Sequence, residues 1–179
     1  MSSGLDSSVT IESISSSVGL RSLPQLIELM RDAVDHGASI GFLPPLTDSQ
    51  AASFWDGVLK EISSGRRIVL VARKDGEIVG SVQLLLADRE NAPHRAEVQK
   101  LFVHTSHRGN GYARSLMVAI EEEAKRVWRR LLVLDTNSGS AAEKLYHSLG
   151  YQFVGSVPEY SLQADRTYAA TSIFCKLLG

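Results

Sequence analysis

The chain has 179 residues, a formal net charge of −1, and 44% hydrophobic, 22% charged and 7% aromatic residues. Such a chain can bury a respectable single core, and its near-neutral charge gives no general attraction for nucleic acid or an anionic membrane. One cysteine, Cys175, excludes an internal disulfide framework, and no apolar run approaches the roughly 18 residues of a membrane span.

The opening "MSSGLDSSVTIESISSS" is polar and serine-rich, without the basic start or apolar centre of a secretory signal. A cytoplasmic protein is expected, with a mobile tail over residues 1–8 and one domain over residues 9–179. "VTIESIS" alternates apolar and polar residues, which predicts a strand. "SLPQLIELMRDAVDHG" places Leu23, Leu26, Ile27, Met30, Ala33 and Val34 along one helical stripe, with Gly37 as its C-terminal stop. The loop "ASIGFLPPL" contains Gly41, Pro44 and Pro45 yet carries Ile40, Phe42 and Leu43, so it is either packed down or an apolar lid.

Thr47 and Gln50 form a capping-box pattern ahead of a helical face of Phe54, Trp55, Val58, Leu59 and Ile62. "RRIVLVARK" and "IVGSVQLLLAD" flank Asp75-Gly76, a strong hairpin signal. "HRAEVQKLFVH" predicts a further strand, and a helix follows from about Tyr112 to Val127. "RRLLVLDTN" is the next strand. Ser140 and Glu143 make a second capping-box pattern for a short helix that Gly150 stops, and "YQFVGSVPEY" and "YAATSIFCKLL" close the chain as strands. The order predicts a mixed-sheet α/β domain with helices on its faces.

The stretch "HRGNGYARSLM" (residues 107–117) sets two glycines at a helix entrance, where they are poor helix formers. A helix start attracts anions through its unpaired N–H groups and its dipole. Gly109, Gly111 and Ala113 keep side chains out of the way, while Arg108 and Arg114 add positive charge. A phosphate or pyrophosphate lying across residues 108–114 explains the composition; an ordinary tight strand-to-helix turn explains it too. A P-loop is excluded because no Gly-Lys-Ser/Thr follows, and Arg114 stands where a dinucleotide fingerprint needs its third glycine.

"LFVHTSHRGNGYARSLM" resembles the acetyl-CoA-binding segment of the GNAT superfamily of N-acetyltransferases. Arg108, Gly111 and Ala113 fill the fixed positions of its Gln/Arg-x-x-Gly-x-Gly/Ala pattern. A second segment of that family is matched by Ala142, Leu145, Tyr146, Gly150 and Tyr151, while Gly139 stands where many members carry an asparagine. The segments "HGASIGFLPPL", "RAEVQKLFV", "LLVLDTNSGSAAEKLYHSLGY" and "VGSVPEY" look like the branch that confers tabtoxin resistance by acetylating a β-lactam amino acid. The resemblance implies a mostly antiparallel, splayed sheet of about seven strands flanked by about four helices. It also implies acetyl-CoA as cosubstrate, held by Leu101, Phe102, Val103, Arg108, Gly109, Asn110, Gly111, Tyr112, Ala113 and Arg114.

Acetyl transfer to an amine needs a base, stabilisation of the thioester oxygen and a partner for the departing thiolate. Strand alternation puts Glu97 on one face with Gln99, Leu101 and Val103, either in solvent or in a cleft. Asp135 ends an apolar strand, where it either caps a turn or meets a ligand. Tyr146 beside Leu145 and Leu149 reads as core. The resemblance implies catalytic places for all three: Glu97 and Asp135 as base and orienting carboxylate, Tyr146 against the cofactor sulfur. It further implies an oxyanion donor in the backbone near Val103. Arg31, Ile40 and Phe42 are candidate substrate contacts, with Arg31, Arg95 or the loop backbone meeting an acceptor carboxylate. The five histidines have no metal-like spacing, so no metal is expected. The expected partner is a small-molecule amine, the expected assembly a monomer or homodimer. A peptide N-terminus as acceptor, or a non-catalytic acetyl-CoA-binding module, are the competing functions.

Overall fold

The structure, a computed structural model, describes residues 9–179; the tail expected over residues 1–8 lies outside the described residues. In chain order the elements are β1 (Thr10–Ser13), α1 (Ser16–Arg21), α2 (Leu23–Asp35), α3 (Asp48–Ser63), β2 (Arg67–Lys74), β3 (Glu77–Leu86) and β4 (Arg95–Val103). After a 3₁₀ turn at Thr105–His107 come α4 (Tyr112–Arg126), β5 (Leu131–Asn137), α5 (Ala141–Ser148), β6 (Gln152–Leu162) and β7 (Tyr168–Leu177). The seven strands form one sheet in the order β1-β2-β3-β4-β5-β7-β6. Every neighbouring pair is antiparallel except β4 and β5. No helix among the described residues is long and apolar enough to cross a membrane.

The sheet is mixed and mostly antiparallel as expected, and five α-helices accompany it among the described residues where about four were expected. The additional one is α1, whose six residues are too few for a periodic stripe to show. Ser15 starts it by accepting the Val18 N–H at 3.3 Å. Gly19 lets it touch α3, because a Cβ there would sit 2.4 Å from Leu59 Cδ2. The Thr47–Gln50 capping box forms as read, whereas Ser140 makes no side-chain cap. Its hydroxyl lies 3.1 Å from that of Thr136 instead.

Both faces of the sheet are covered, which is why β2 reads as an unbroken apolar run. Leu70 and Ala72 face one core with Leu116, Met117 and Ile120 of α4. Val69 and Val71 face the other with Leu26 and Met30 of α2 and Trp55 of α3. Trp55 is fully buried, and its indole N–H donates to the Leu26 carbonyl at 3.1 Å.

Two irregularities shape the site. Between β3 and β4 the pairing steps from Gln83↔Gln99 to Ser81↔Phe102, so β4 carries one extra residue. Lys100 absorbs this bulge with φ 53°, and the faces of the strand exchange beyond it. Phe102 therefore joins the α2/α3 core, while Val103 and Leu101 pack on the α4 side. The strict alternation that grouped Glu97 with Leu101 and Val103 is thus wrong, because it assumed an unbroken strand. Secondly, β4 and β5 pair only from Arg95↔Leu131 to Glu97↔Val133. Past that point β4 follows β3 and β5 follows β7, and the sheet opens between them.

Candidate active site

The divergence of β4 from β5 leaves a cleft of about 720 Å³, lined by Glu97, Lys100, Arg108, Asp135 and Tyr146 among others. Four of these five are residues to which the family resemblance gave site roles, and the splay brings them to one place.

Glu97 is the last β4 residue paired with β5. Gln99 Nε2 donates to its carboxylate at 2.7 Å. The Gln99 amide is fixed in turn, because its oxygen accepts from Arg67 at 3.0 Å. Arg67 also donates to Gln83 at 2.6 Å and pairs with Glu61. A fixed amide therefore aims the carboxylate. Asp135 lies on β5 just past the last pairing with β4, and Thr171 Oγ1 donates to its Oδ2 at 2.9 Å.

Tyr146 is 5% exposed, with its ring 5.8 Å from that of Tyr151 and 5.9 Å from that of Phe174. The core reading of this tyrosine holds for its ring, yet the residue also lines the cleft. Burial, with the negative charge of Asp135, pushes its phenol up to about 12.

At the mouth of α4, Gly109 and Gly111 take φ values of 80° and 79°, the left-handed region that glycine enters without penalty. A Cβ on either would meet no atom outside its chain neighbours within 4 Å, so bare backbone faces open space. No side chain caps α4, which leaves its first-turn N–H groups for an anion. Asn110 braces the turn from within, donating to the carbonyls of His107 at 3.0 Å and Arg108 at 3.3 Å. Tyr112 stacks on His107 at 6.5 Å, and Arg114 donates to Ser148 of α5. Ala113 is half-buried in the first turn of α4. These features fit the diphosphate of coenzyme A.

The chain between β4 and this turn is also suited to an extended ligand. His104 N–H donates to Val79 on β3 at 2.9 Å, so the Val103 N–H and C=O point the opposite way, toward the opening. Arg108 Nε reaches the Val103 carbonyl at 3.2 Å. Leu101 lines the cleft, whereas the Phe102 side chain is committed to the α2/α3 core and offers only backbone.

Asp32 of α2 pins this region. Its carboxylate accepts from Thr105 N–H at 2.8 Å and Thr105 Oγ1 at 2.7 Å, with His36 and His104 beside it. Burial alone would push the Asp32 carboxyl up; the Thr105 bonds and the two histidines outweigh it and hold the group below its ordinary value. A lowered carboxyl contributes stability that is fully present above the unfolded-state value, near 3.9, and is lost as pH falls through the native one. Urea unfolding should therefore show wild type more stable than Asp32→Asn at pH 7, with the gap closing toward pH 3. A gap independent of pH would refute the assignment.

On the acceptor side, Ile40 is 7% exposed and lines the cleft, so the loop is packed down. Phe42 packs edge-on against Phe54 at 5.7 Å and lines an adjoining cavity of about 550 Å³ with Leu162 and Gln163. Arg31 is not among the cleft's lining residues; it pairs with Glu28 and Asp48 on the protein's outside. Arg95 is exposed at the start of β4 and is likewise absent from the lining. Lys100, which the sequence reading passed over, is there. The one signal for it was a lysine inside the otherwise apolar "VQKLFV".

Residues 65–153 match the model of the acetyltransferase (GNAT) domain. An uncharacterised N-acetyltransferase of Azospirillum brasilense is 37% identical over 129 residues, covering 71% of this chain and 74% of the relative. The chain belongs to the GNAT family of acetyltransferases. It is therefore an acyltransferase that draws its acetyl group from acetyl-CoA. An L-methionine sulfoximine/L-methionine sulfone acetyltransferase of Salmonella typhimurium is 31% identical over 67 residues, covering 37% of this chain and 39% of the relative. Among solved structures, a Salmonella typhimurium acetyltransferase with its cofactor acetyl-CoA superposes with a TM-score of 0.78 at 21% identity, covering 97% of this chain and 95% of that one. That likeness extends the shared fold over nearly the whole acetyltransferase.

Proposed function

We propose that this acetyltransferase moves the acetyl group directly onto the primary amine of a small zwitterionic molecule in a ternary complex, the acceptor being a β-lactam amino acid toxin of the tabtoxin type. The observation that carries this reading is the convergence of Glu97, Asp135, Tyr146 and Arg108 on one cleft. The methionine sulfoximine/sulfone acetyltransferase supports the acceptor class, since both compounds in its name are small α-amino acids.

Acetyl-CoA supplies the electrophilic thioester. Its diphosphate is held across Arg108 to Arg114, with Leu101, Phe102 and Val103 offering backbone to the pantetheine arm. Glu97 and Asp135 share the acceptor's ammonium group, one taking its proton and the other orienting it; a free amine is largely protonated near neutral pH, so this step is needed. The Val103 N–H faces the thioester oxygen. Tyr146, with a phenol pushed up to about 12, stays protonated throughout the working range. It is a weak acid beside a thiol near 8.5, so its contribution is a hydrogen bond that stabilises the leaving sulfur as the C–N bond forms and the C–S bond breaks. The second proton shed by the nitrogen balances the thiolate, which departs as the free thiol of CoA. Tyr146→Phe should lower kcat more than about tenfold with acetyl-CoA affinity little changed. Thiol-release assays paired with calorimetry measure both; wild-type turnover would leave Tyr146 a packing residue only.

A peptide N-terminus is the second reading, and the adjoining cavity beside Phe42 and Leu162 favours it by offering room for a longer acceptor. The two separate on an acceptor panel followed by release of free CoA thiol. The β-lactam amino acid should exceed peptide N-termini in kcat/KM by at least about a hundredfold, or roughly 2.7 kcal/mol. Equal or better turnover of a peptide defeats the toxin assignment and leaves the acetyltransferase intact.

A further inference from the structure

Among the residues that line the cleft, only His36, Lys100 and Arg108 can carry positive charge. Arg108 belongs to the phosphate turn, where its Nε is engaged by the Val103 carbonyl. His36 is turned toward α2, with Nδ1 2.8 Å from the Asp32 carbonyl and 3.4 Å from the Asp32 carboxylate. Arg67, on the same face of the sheet, is held through Nε by Glu61 and through Nη1 by Gln83 and Gln99, and it does not line the cleft. That leaves Lys100.

Lys100 is a half-buried lysine with no carboxylate within ion-pair distance among the described residues. Its Nζ donates once, to the Ile40 carbonyl of the substrate loop at 2.7 Å. The ring of Phe54 lies 6.0 Å away. An ammonium has three donors, so two remain for an incoming group. Taking such a charge out of water without a counter-ion is costly, and lysines are rarely buried unless paired. The bulge imposes this position: in a regular strand residue 100 would face the α4 core with Ala96 and Val98. Its left-handed backbone turns it to the Glu97 side.

We infer that Lys100 is a specificity-determining residue that binds the carboxylate of an α-amino acid acceptor while Glu97 and Asp135 hold its ammonium group. This rests on the small-zwitterion reading given above. The cleft then presents one positive and two negative groups to a ligand of opposite polarity, which a neutral amide or a peptide's internal carbonyl cannot match. The local charges agree: burial, then Arg67, draws the Lys100 ammonium below its ordinary value, while Asp135 and Glu97 oppose them. An arriving carboxylate supplies the missing counter-ion. The competing role is purely mechanical, with Lys100 tying residues 37–43 to β4.

The test compares the fastest α-amino acid of the acceptor panel with its own carboxamide, in wild type, Lys100→Met and Lys100→Arg. Wild type should favour the acid at least about tenfold in kcat/KM, the scale of one hydrogen bond to a charged group. Lys100→Met should bring that ratio close to one by raising KM for the acid, with the amide little affected, and Lys100→Arg should restore the preference. Acetyl-CoA affinity by calorimetry reports folding, and Lys100→Gln, which keeps a donor for the Ile40 carbonyl, substitutes for a Met variant that fails it. An unchanged ratio, or an equal loss for acid and amide, overturns the carboxylate role while the acetyltransferase reading stands. Wild type that prefers the amide overturns it as well. Wild type that acetylates no small amine at all removes the small-zwitterion reading, and this inference with it.

Discussion

Gly111→Val should weaken acetyl-CoA binding by at least about a hundredfold, or roughly 2.7 kcal/mol. Two effects combine. Gly111 sits at φ 79°, a region where a β-branched residue is strained by about 1–3 kcal/mol. The new side chain would also project into the open space beside the first turn of α4, where no atom outside the local chain lies within 4 Å. If that space holds the diphosphate, the valine methyls exclude it and block its approach to the N–H groups. Gly111→Asn separates the two effects, because asparagine tolerates left-handed backbone far better than valine. Calorimetry should find Asn nearly as stable as wild type, yet still impaired in acetyl-CoA affinity. A folded Asn variant with unchanged affinity would place the diphosphate elsewhere.

Removing both carboxylates should cost more still. The double variant Glu97→Gln/Asp135→Asn should lose about a thousandfold in kcat/KM, within the range of roughly 10²–10⁴ for general base catalysis. Each single variant should lose less than a simple partition predicts, because the remaining carboxylate can still receive or orient the ammonium. Residues that act as a unit are strongly non-additive. Neither side chain belongs to the phosphate turn, so acetyl-CoA affinity should stay near wild type in all three proteins. Thiol release over the four-corner cycle gives the coupling directly. A double variant within about threefold of wild type would remove both carboxylates from the chemistry and leave Thr171 and Gln99 as their structural partners.

What the sequence determined by itself was whatever rests on neighbours along the chain. Helix stripes such as Leu26-Met30-Ala33 and the box between Thr47 and Gln50 depend on residues three or four apart. The hairpin at Asp75-Gly76 depends on two adjacent residues of positive φ. The bare turn at Gly109 and Gly111 depends on backbone freedom alone. Ser140 shows where such local reasoning ends: its pattern was right for a cap, yet its hydroxyl went to Thr136, a partner on a different element. Arg31 shows the same for charge, since Asp48, remote in sequence, claims the guanidinium that an acceptor was expected to meet.

The arrangement of the cleft was decided only in three dimensions. Glu97 and Asp135 share one cleft because β4 and β5 pair for three residues and then part. The parting follows from which other strand each one accompanies. The extra residue at Lys100 is visible only against its partner β3, where Ser81 and Gln83 bracket it. A period of two has no memory of such a slip, so reading β4 alone misplaced every side chain beyond it. That slip buried Phe102 beneath α2 and α3 and moved Lys100 from the core face to the cleft.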